Sequence, residues 1–302
     1  MGLALGAMVV LPVGLYEART GWPMMHHRLI ATQGAAGVSL RNFGALVGGQ
    51  LAYLSPLLAG VAALVGWDLW RSRKHDVIAT LLSNALVVPL AGLVPLCLWS
   101  RVAEPHWVAP ALLALPLHYA RTTTPRLPRH WRRLGWPAVA TAALLSLGVY
   151  AWVLVPPLVS ILPLSVYDAR VDLANELYGW PEAIDSIREI AKARRREAPD
   201  PLDLVVVGPH WVICAQIEAR LGGELSVGCA GSEPADFAYW NPRARWAHAA
   251  LLIYVTDARF PIDGGALFPD RACVDSRRLD QYRGGKLARS FTFEVLSLRG
   301  GA

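Results

Sequence analysis

The sequence predicts a membrane α-helical bundle of about five transmembrane helices followed by a small extracytoplasmic α/β domain. Three observations carry that prediction. The 302 residues are 54% hydrophobic and 17% charged, with a mean hydropathy of +0.34, too apolar for an ordinary water-soluble domain. Carboxylates are almost absent from residues 1–165, where only Glu17, Asp68, Asp76 and Glu104 occur, and are frequent thereafter. Long apolar runs in the first half alternate with short basic loops, as in a chain that crosses a bilayer repeatedly. The expected division is a transmembrane region over 1–160 and a soluble domain over 161–302.

Met1–Leu15 is apolar but spans only about 22 Å as a helix, less than the ~30 Å hydrocarbon core. It has no basic leader or small-residue cleavage site, so it reads as a transmembrane helix lacking its first turns rather than as a signal peptide. Glu17–Asn42 follows as a polar connector. Phe43–Gly66 is a full span in which Gly44, Gly48, Gly49 and Gly60 permit close helix packing. Asp68–Asp76 is a loop with Arg71, Arg73 and Lys74. Val77–Trp99 spans again, with kinks expected at Pro89 and Pro95. Trp107–Tyr119 is short and holds Pro110 and Pro116, which predicts a tilted or broken helix. Pro137–Val155 is the last span.

Basic residues concentrate in the 71–74 and 121–133 loops, which the positive-inside rule assigns to the cytoplasm. Alternation then puts the 17–42 connector, the Arg101–Trp107 stretch and everything after about Pro156 on the outer side of the membrane. The net charge of +6 would suit nucleic acid, but the cations gather at membrane edges rather than along one stripe, so no nucleic-acid partner is expected.

In the second half, Trp180–Ala198 has helical periodicity and Pro181 at a helix-start position. Leu202–Val207 and Ala249–Val255 read as buried strands, Val212–Leu221 as a helix closed by Gly222-Gly223, and Ser290–Leu298 as an alternating strand. These predict a three-layer sheet domain without a nucleotide-binding glycine motif. No cysteine or histidine spacing suits a metal. Outside the cytoplasm, Cys229–Cys273 is a candidate disulfide, with Cys214 buried as a small hydrophobe.

The densest chemistry lies in Ser100-Arg101-Val102-Ala103-Glu104-Pro105-His106-Trp107, between two apolar segments. Ionisable groups pinned at a membrane boundary mark a functional site, although the same residues also serve as a helix-end ion pair and an interfacial anchor. Arg101 is the candidate cation for a phosphate, with Glu104 and His106 as hydrogen-bonding partners. Arg28 with His27 forms a second cationic candidate on the same side. Trp107 suits either a sugar stack or the aromatic belt. Asp236 and Trp240 are candidates for an acceptor- or sugar-facing edge of the soluble domain, or for a loop latch.

Several stretches in order carry a resemblance: Tyr16-Glu17-Ala18-Arg19-Thr20-Gly21-Trp22, His27-Arg28, Gly48-Gly49-Gln50, Tyr53-Leu54-Ser55-Pro56, Arg101-Val102-Ala103-Glu104-Pro105-His106-Trp107-Val108-Ala109-Pro110, Tyr178-Gly179-Trp180 and Asp236-Phe237-Ala238-Tyr239-Trp240. The series resembles the C-terminal half of bacterial GT-C membrane glycosyltransferases, the superfamily of protein O-mannosyltransferases and lipid A aminoarabinose transferases. The resemblance implies an enzyme of the bacterial inner membrane with a periplasmic or extracellular C-terminal domain. It implies transfer of a sugar from a polyprenyl-phosphate donor to a glycan, lipid or protein acceptor at the outer face, without a further cofactor. The acidic loop that such enzymes carry between their first two helices has no counterpart here, so the catalytic residues are unassigned and a preceding N-terminal half is expected to supply them. The alternative reading is a non-catalytic, membrane-anchored protein that binds a glycan or a partner.

Overall fold

A computed structural model of the chain describes residues 2–26, 37–99, 105–122, 129–198, 202–231 and 237–299. These form two compact units, Met1–Val149 and Tyr150–Ala302.

The first unit is helical. Helix α1 (Gly2–Thr20) runs through Glu17–Thr20, which the sequence assigned to the connector, and a single turn, α2 (Pro23–Met25), follows. Two helices then replace the expected straight span over Phe43–Gly66. These are α3 (Leu40–Leu54) and α4 (Pro56–Ser72), which meet at 101°. The break has a local cause. Pro56 has no N–H to continue α3 and excludes its predecessor from helical torsions, and Ser55 sits at φ 65° and ψ 151°. Ser55 then accepts the Leu58 N–H at 3.3 Å and so starts α4.

Helix α5 (Val77–Trp99) matches its expected bounds and contains Pro89 and Pro95. The segment after it is broken, as its prolines demand, into a 3-10 turn (Pro105–Val108) and two short helices, α6 (Ala109–Leu112) and α7 (Ala114–Arg121). Helix α8 (Arg129–Leu154) starts eight residues earlier than the predicted span, because the arginine-rich stretch joins the helix. By length and apolarity, α5 and the Arg133–Leu154 part of α8 can cross a membrane, and the bent α3–α4 pair makes a third crossing if taken as one span. Among the described residues the helical unit thus holds two candidate spans, or three, of the predicted bundle of about five.

The second unit is a five-stranded mixed sheet in the order β2-β1-β3-β5-β4. After α9 (Trp180–Glu197) come β1 (Leu204–Gly208), α10 (Trp211–Leu221), β2 (Ser226–Cys229), β3 (Leu251–Asp257), β4 (Arg271–Arg283) and β5 (Lys286–Leu298). Strand β1 lies parallel to β2 and β3, and every residue of it is buried, which is why it reads as a continuous apolar run. Strand β5 pairs antiparallel with both β3 and β4. Helices α9 and α10 cover one face through Trp180, Ile187, Ile213 and Ile217, packed on Val206, Ile253, Phe291 and Phe293. Trp246 and Phe268 cover the other face over Val207, Leu252 and Tyr254.

Two glycine-dependent places fix this arrangement. Gly179, at φ 77°, precedes α9, and a Cβ there would lie 2.5 Å from Gln281 Cγ and 3.0 Å from the Phe291 ring. Gly284, at φ 56° in the β4–β5 turn, abuts the Pro156 carbonyl and the Ser160 amide, leaving 2.8 and 2.9 Å for an added Cβ.

The suggested Cys229–Cys273 disulfide is ruled out by this topology. The two residues sit on opposite edge strands, β2 and β4, with three strands between them, so about 19 Å at 4.8 Å per strand separates them. A disulfide needs Cα atoms within about 7 Å. Cys273 is exposed and Cys229 buried.

Candidate functional site

In the helical unit, the 3-10 turn bearing His106 and Trp107 is seated by apolar packing. Val108, Leu46 of α3 and Cys97 of α5 form a buried cluster, and Trp107, Leu93 and Leu112 pack against it. Ser39 accepts the Asn42 N–H at 3.3 Å as the cap of α3, and its own N–H donates to the Leu98 carbonyl at 3.3 Å. The chain thus enters α3 beside the point where it leaves α5. The entrance of α3 and the exit of α5 therefore lie side by side, next to the turn that bears His106 and Trp107.

His106 is exposed there and Trp107 half-buried. Arg28, His27, Arg101, Glu104 and Asp236 lie outside the described residues. Trp240 belongs to the sheet unit, where it is 63% exposed and packs its ring at 5.5 Å from that of Phe237. Glu17, which the sequence placed on an outer loop, is buried at the end of α1. Its carboxylate accepts the Met24 and Met25 N–H groups at 3.1 and 3.2 Å and is committed to holding the first turn of α2.

Sequence reasoning missed a buried ionisable pair between α4 and α7. His118 Nε2 meets Asp68 Oδ2 at 3.0 Å, with the two side chains 1% and 8% exposed. His118 Nδ1 is buried without a hydrogen-bond partner among the described residues. A second link, Arg121 to Asp76, closes the same end of the bundle. The signal was available: Asp68 and His118 each sit just inside one of the two loops assigned to the same side of the membrane, which makes them natural partners.

The sheet unit holds three further acid–arginine pairs around the ends of β3 and β5. Arg283 Nη1 donates to Asp172 at 2.8 Å, Arg259 pairs with Glu176, and Arg289 clasps Asp257 through Nε at 2.8 Å. Burial pulls the Arg289 guanidinium below its ordinary pKa, and the Asp257 carboxylate opposes that shift. A shallow crevice, open to solvent, runs between the 169–176 segment and this cluster. Because each guanidinium in the three pairs already faces a carboxylate, the cluster ties the segment onto the sheet rather than presenting net charge. A clue lay in β5. Arg289 shares its side of the strand with Phe291, Phe293 and Val295, and an arginine at an inward position demands a buried acid.

The carboxyl ends of β1 and β3, where the strand order reverses and open sheets commonly bind ligands, are closed by the stack of His210 on Phe260. The ring centroids are 4.0 Å apart and the planes 14° from parallel. His210 Nδ1 also accepts the Val212 N–H at 3.2 Å, so the ring starts α10.

No protein-family model, curated protein or solved structure matches this chain.

Proposed function

We propose that this chain is part of a GT-C-type glycosyltransferase that transfers a sugar from a polyprenyl-phosphate donor to an acceptor on the outer face of the membrane. The reading rests on the ordered series of motifs and on one geometric observation. The Ser39–Leu98 contact brings the α3 entrance to the α5 exit, beside His106 and Trp107, the two described members of the charged stretch.

The chemistry required there is the breaking of the bond between the anomeric carbon and the phosphate oxygen. An oxocarbenium-like state develops positive charge on the sugar while negative charge collects on the departing phosphate. Arg101 and Arg28 hold that phosphate, His106 donates a hydrogen bond to it, and Glu104 orients Arg101. Trp107 lies along the sugar or prenyl chain. The group that takes the acceptor proton is not assigned among these residues.

The test is donor binding by the full chain in detergent, with a photo-crosslinkable polyprenyl-phosphate sugar as probe. Removing one charge-assisted contact costs about 1.5–3 kcal/mol, so Arg101→Ala should weaken labelling by at least about tenfold. Unchanged labelling in both Arg101→Ala and Arg28→Ala would defeat this assignment.

The second reading, a membrane-anchored glycan-binding protein, draws on the adjacent Tyr239 and Trp240, 55% and 63% exposed on the sheet unit. Exposed aromatic faces of that kind stack on sugar rings. Glycan binding lost in Trp240→Ala, by a chain that takes no donor label, would favour it.

A further inference from the structure

Cys214 and Cys229 meet on one face of the sheet, at a point where a side chain is missing. Alternate residues of a strand share a face, so β1 turns Leu204, Val206 and Gly208 toward α10, and β2 turns Val227 and Cys229 the same way. Leu204, Val206, Val227, Cys229 and Cys214 all belong to one buried cluster. Gly208 and Cys229 are direct partners across the parallel β1–β2 pair. Helix α10 lowers Cys214 onto that spot: a Cβ on Gly208 would stand 2.9 Å from the Cys214 sulfur. The Cys214 sulfur therefore lies over the space left by glycine, beside the strand neighbour of Cys229, whose own side chain extends over the same face. The two thiols meet in a hydrogen bond, and only a short approach separates that contact from an S–S bond of about 2.05 Å.

We propose that Cys214 and Cys229 are a disulfide-forming pair, a covalent modification site that staples α10 to the edge strand β2. The co-reactant is a small or protein disulfide. Cys229 reacts first. It is 8% exposed, whereas Cys214 is fully enclosed. Hydrogen bonding from the Cys214 thiol holds the Cys229 thiol below its ordinary pKa against the opposing effect of burial, while burial pushes Cys214 well above its own. The Cys229 thiolate attacks one sulfur of the co-reactant, whose S–S bond breaks to release one thiol and leave a mixed disulfide on Cys229. Cys214 then loses its proton and attacks the Cys229 sulfur, forming the internal bond and releasing the second thiol. In sum, two protein thiols give up two protons and two electrons, and the co-reactant disulfide becomes two thiols. Cys97 lies in α5 and Cys273 is exposed on β4, so neither takes part. The pairing rests on the geometry of the sheet unit and stands independently of the glycosyltransferase reading.

The experiment uses the purified full chain in detergent, reduced and then incubated folded with oxidised glutathione. Alkylation after denaturation should find two of the four cysteines protected, and intact mass should fall by about 2 Da. Peptide mapping should join the Cys214 and Cys229 fragments. The Cys97→Ser/Cys273→Ser variant should behave identically. Cys214→Ser, or Cys214→Ala if the serine variant does not fold, should instead trap glutathione on Cys229. Four alkylatable thiols after oxidation of the folded chain, or a bond joining any other pair, would overturn the proposal.

Discussion

Arg283 offers the sharpest test of how the sheet unit is held together. It stands at the end of β4, 1% exposed, and its Nη1 donates to Asp172 at 2.8 Å. Its Nη2 donates to the Trp152 carbonyl at the end of α8, and its guanidinium lies 5.1 and 4.9 Å from the Trp152 and Tyr178 rings. Lys286, across the same turn, donates to the Val159 carbonyl at 2.5 Å and to that of Leu162. The tip of the β4–β5 hairpin thus grips the end of α8 and the segment that leaves it.

Replacing Arg283 with Met keeps most of the apolar stem but strands the Asp172 charge. Breaking a buried pair from one side costs about 3–5 kcal/mol. The low end applies here for two reasons. Asp172 keeps the Trp152 Nε1–H at 3.1 Å and the Ala174 N–H at 3.0 Å. Arg283 Nε is already buried without a partner among the described residues, so its removal relieves one cost. The expected loss is about 3 kcal/mol, which is about a hundredfold in the local opening equilibrium. Hydrogen exchange of the β4 and β5 amides in the full chain in detergent reads this directly. The Arg283→Met/Asp172→Leu double variant should recover most of the loss, because an apolar pair replaces a half-broken ionic one. Unaltered exchange in Arg283→Met, or a double variant as labile as the sum of the singles, would refute the reasoning.

Other expectations follow from the same packing. Gly179→Ala should destabilise the sheet unit by about 1–3 kcal/mol, read by denaturant unfolding, since its φ of 77° and the Gln281 side chain at 2.5 Å both oppose a Cβ. Asp68→Ala should lower the thermal stability of the helical unit by about 2–3 kcal/mol, because His118 would then be buried without a partner at either nitrogen among the described residues; Asp68→Ala/His118→Leu should restore it. Burial, reinforced by Asp263, raises the Glu294 pKa above its unfolded value. Its contribution is therefore fully favourable below the unfolded pKa and is lost as pH rises through the folded one. Glu294→Gln should accordingly leave stability unchanged near pH 3 and raise it near pH 8, as measured by unfolding across that range.

Much of the sheet unit was legible in local pattern. Trp180–Glu197 shows its helical stripe, Pro181 its start, and the buried β1 and β3 their apolar runs, because a core-facing element must display its period in the sequence. Strand β2 is four residues long, and β4 carries Arg277, Arg278, Asp275 and Asp280 along an edge, so neither shows a buried-strand signature. The helical unit was legible in composition and less so in geometry. Apolarity alone does not distinguish one span over Phe43–Gly66 from two helices bent at Ser55-Pro56. Of the candidate site, the residue types were legible, and His106 and Trp107 lie where α3 and α5 converge.

The sequence by itself determined that an apolar helical half precedes a polar half with a sheet, because hydrophobic content and periodicity are local properties. It also determined where the ionisable residues of the first half crowd. Only the tertiary structure decided which charges answer one another: Asp68 with His118, Asp172 with Arg283, and Asp257 with Arg289, separated by 50, 111 and 32 residues. Burying a charge requires a partner, but any of several acids would satisfy an arginine in sequence. The strand order that places Cys229 beside Gly208 and far from Cys273 makes the final choice, since pairing across a sheet depends on neighbours in space.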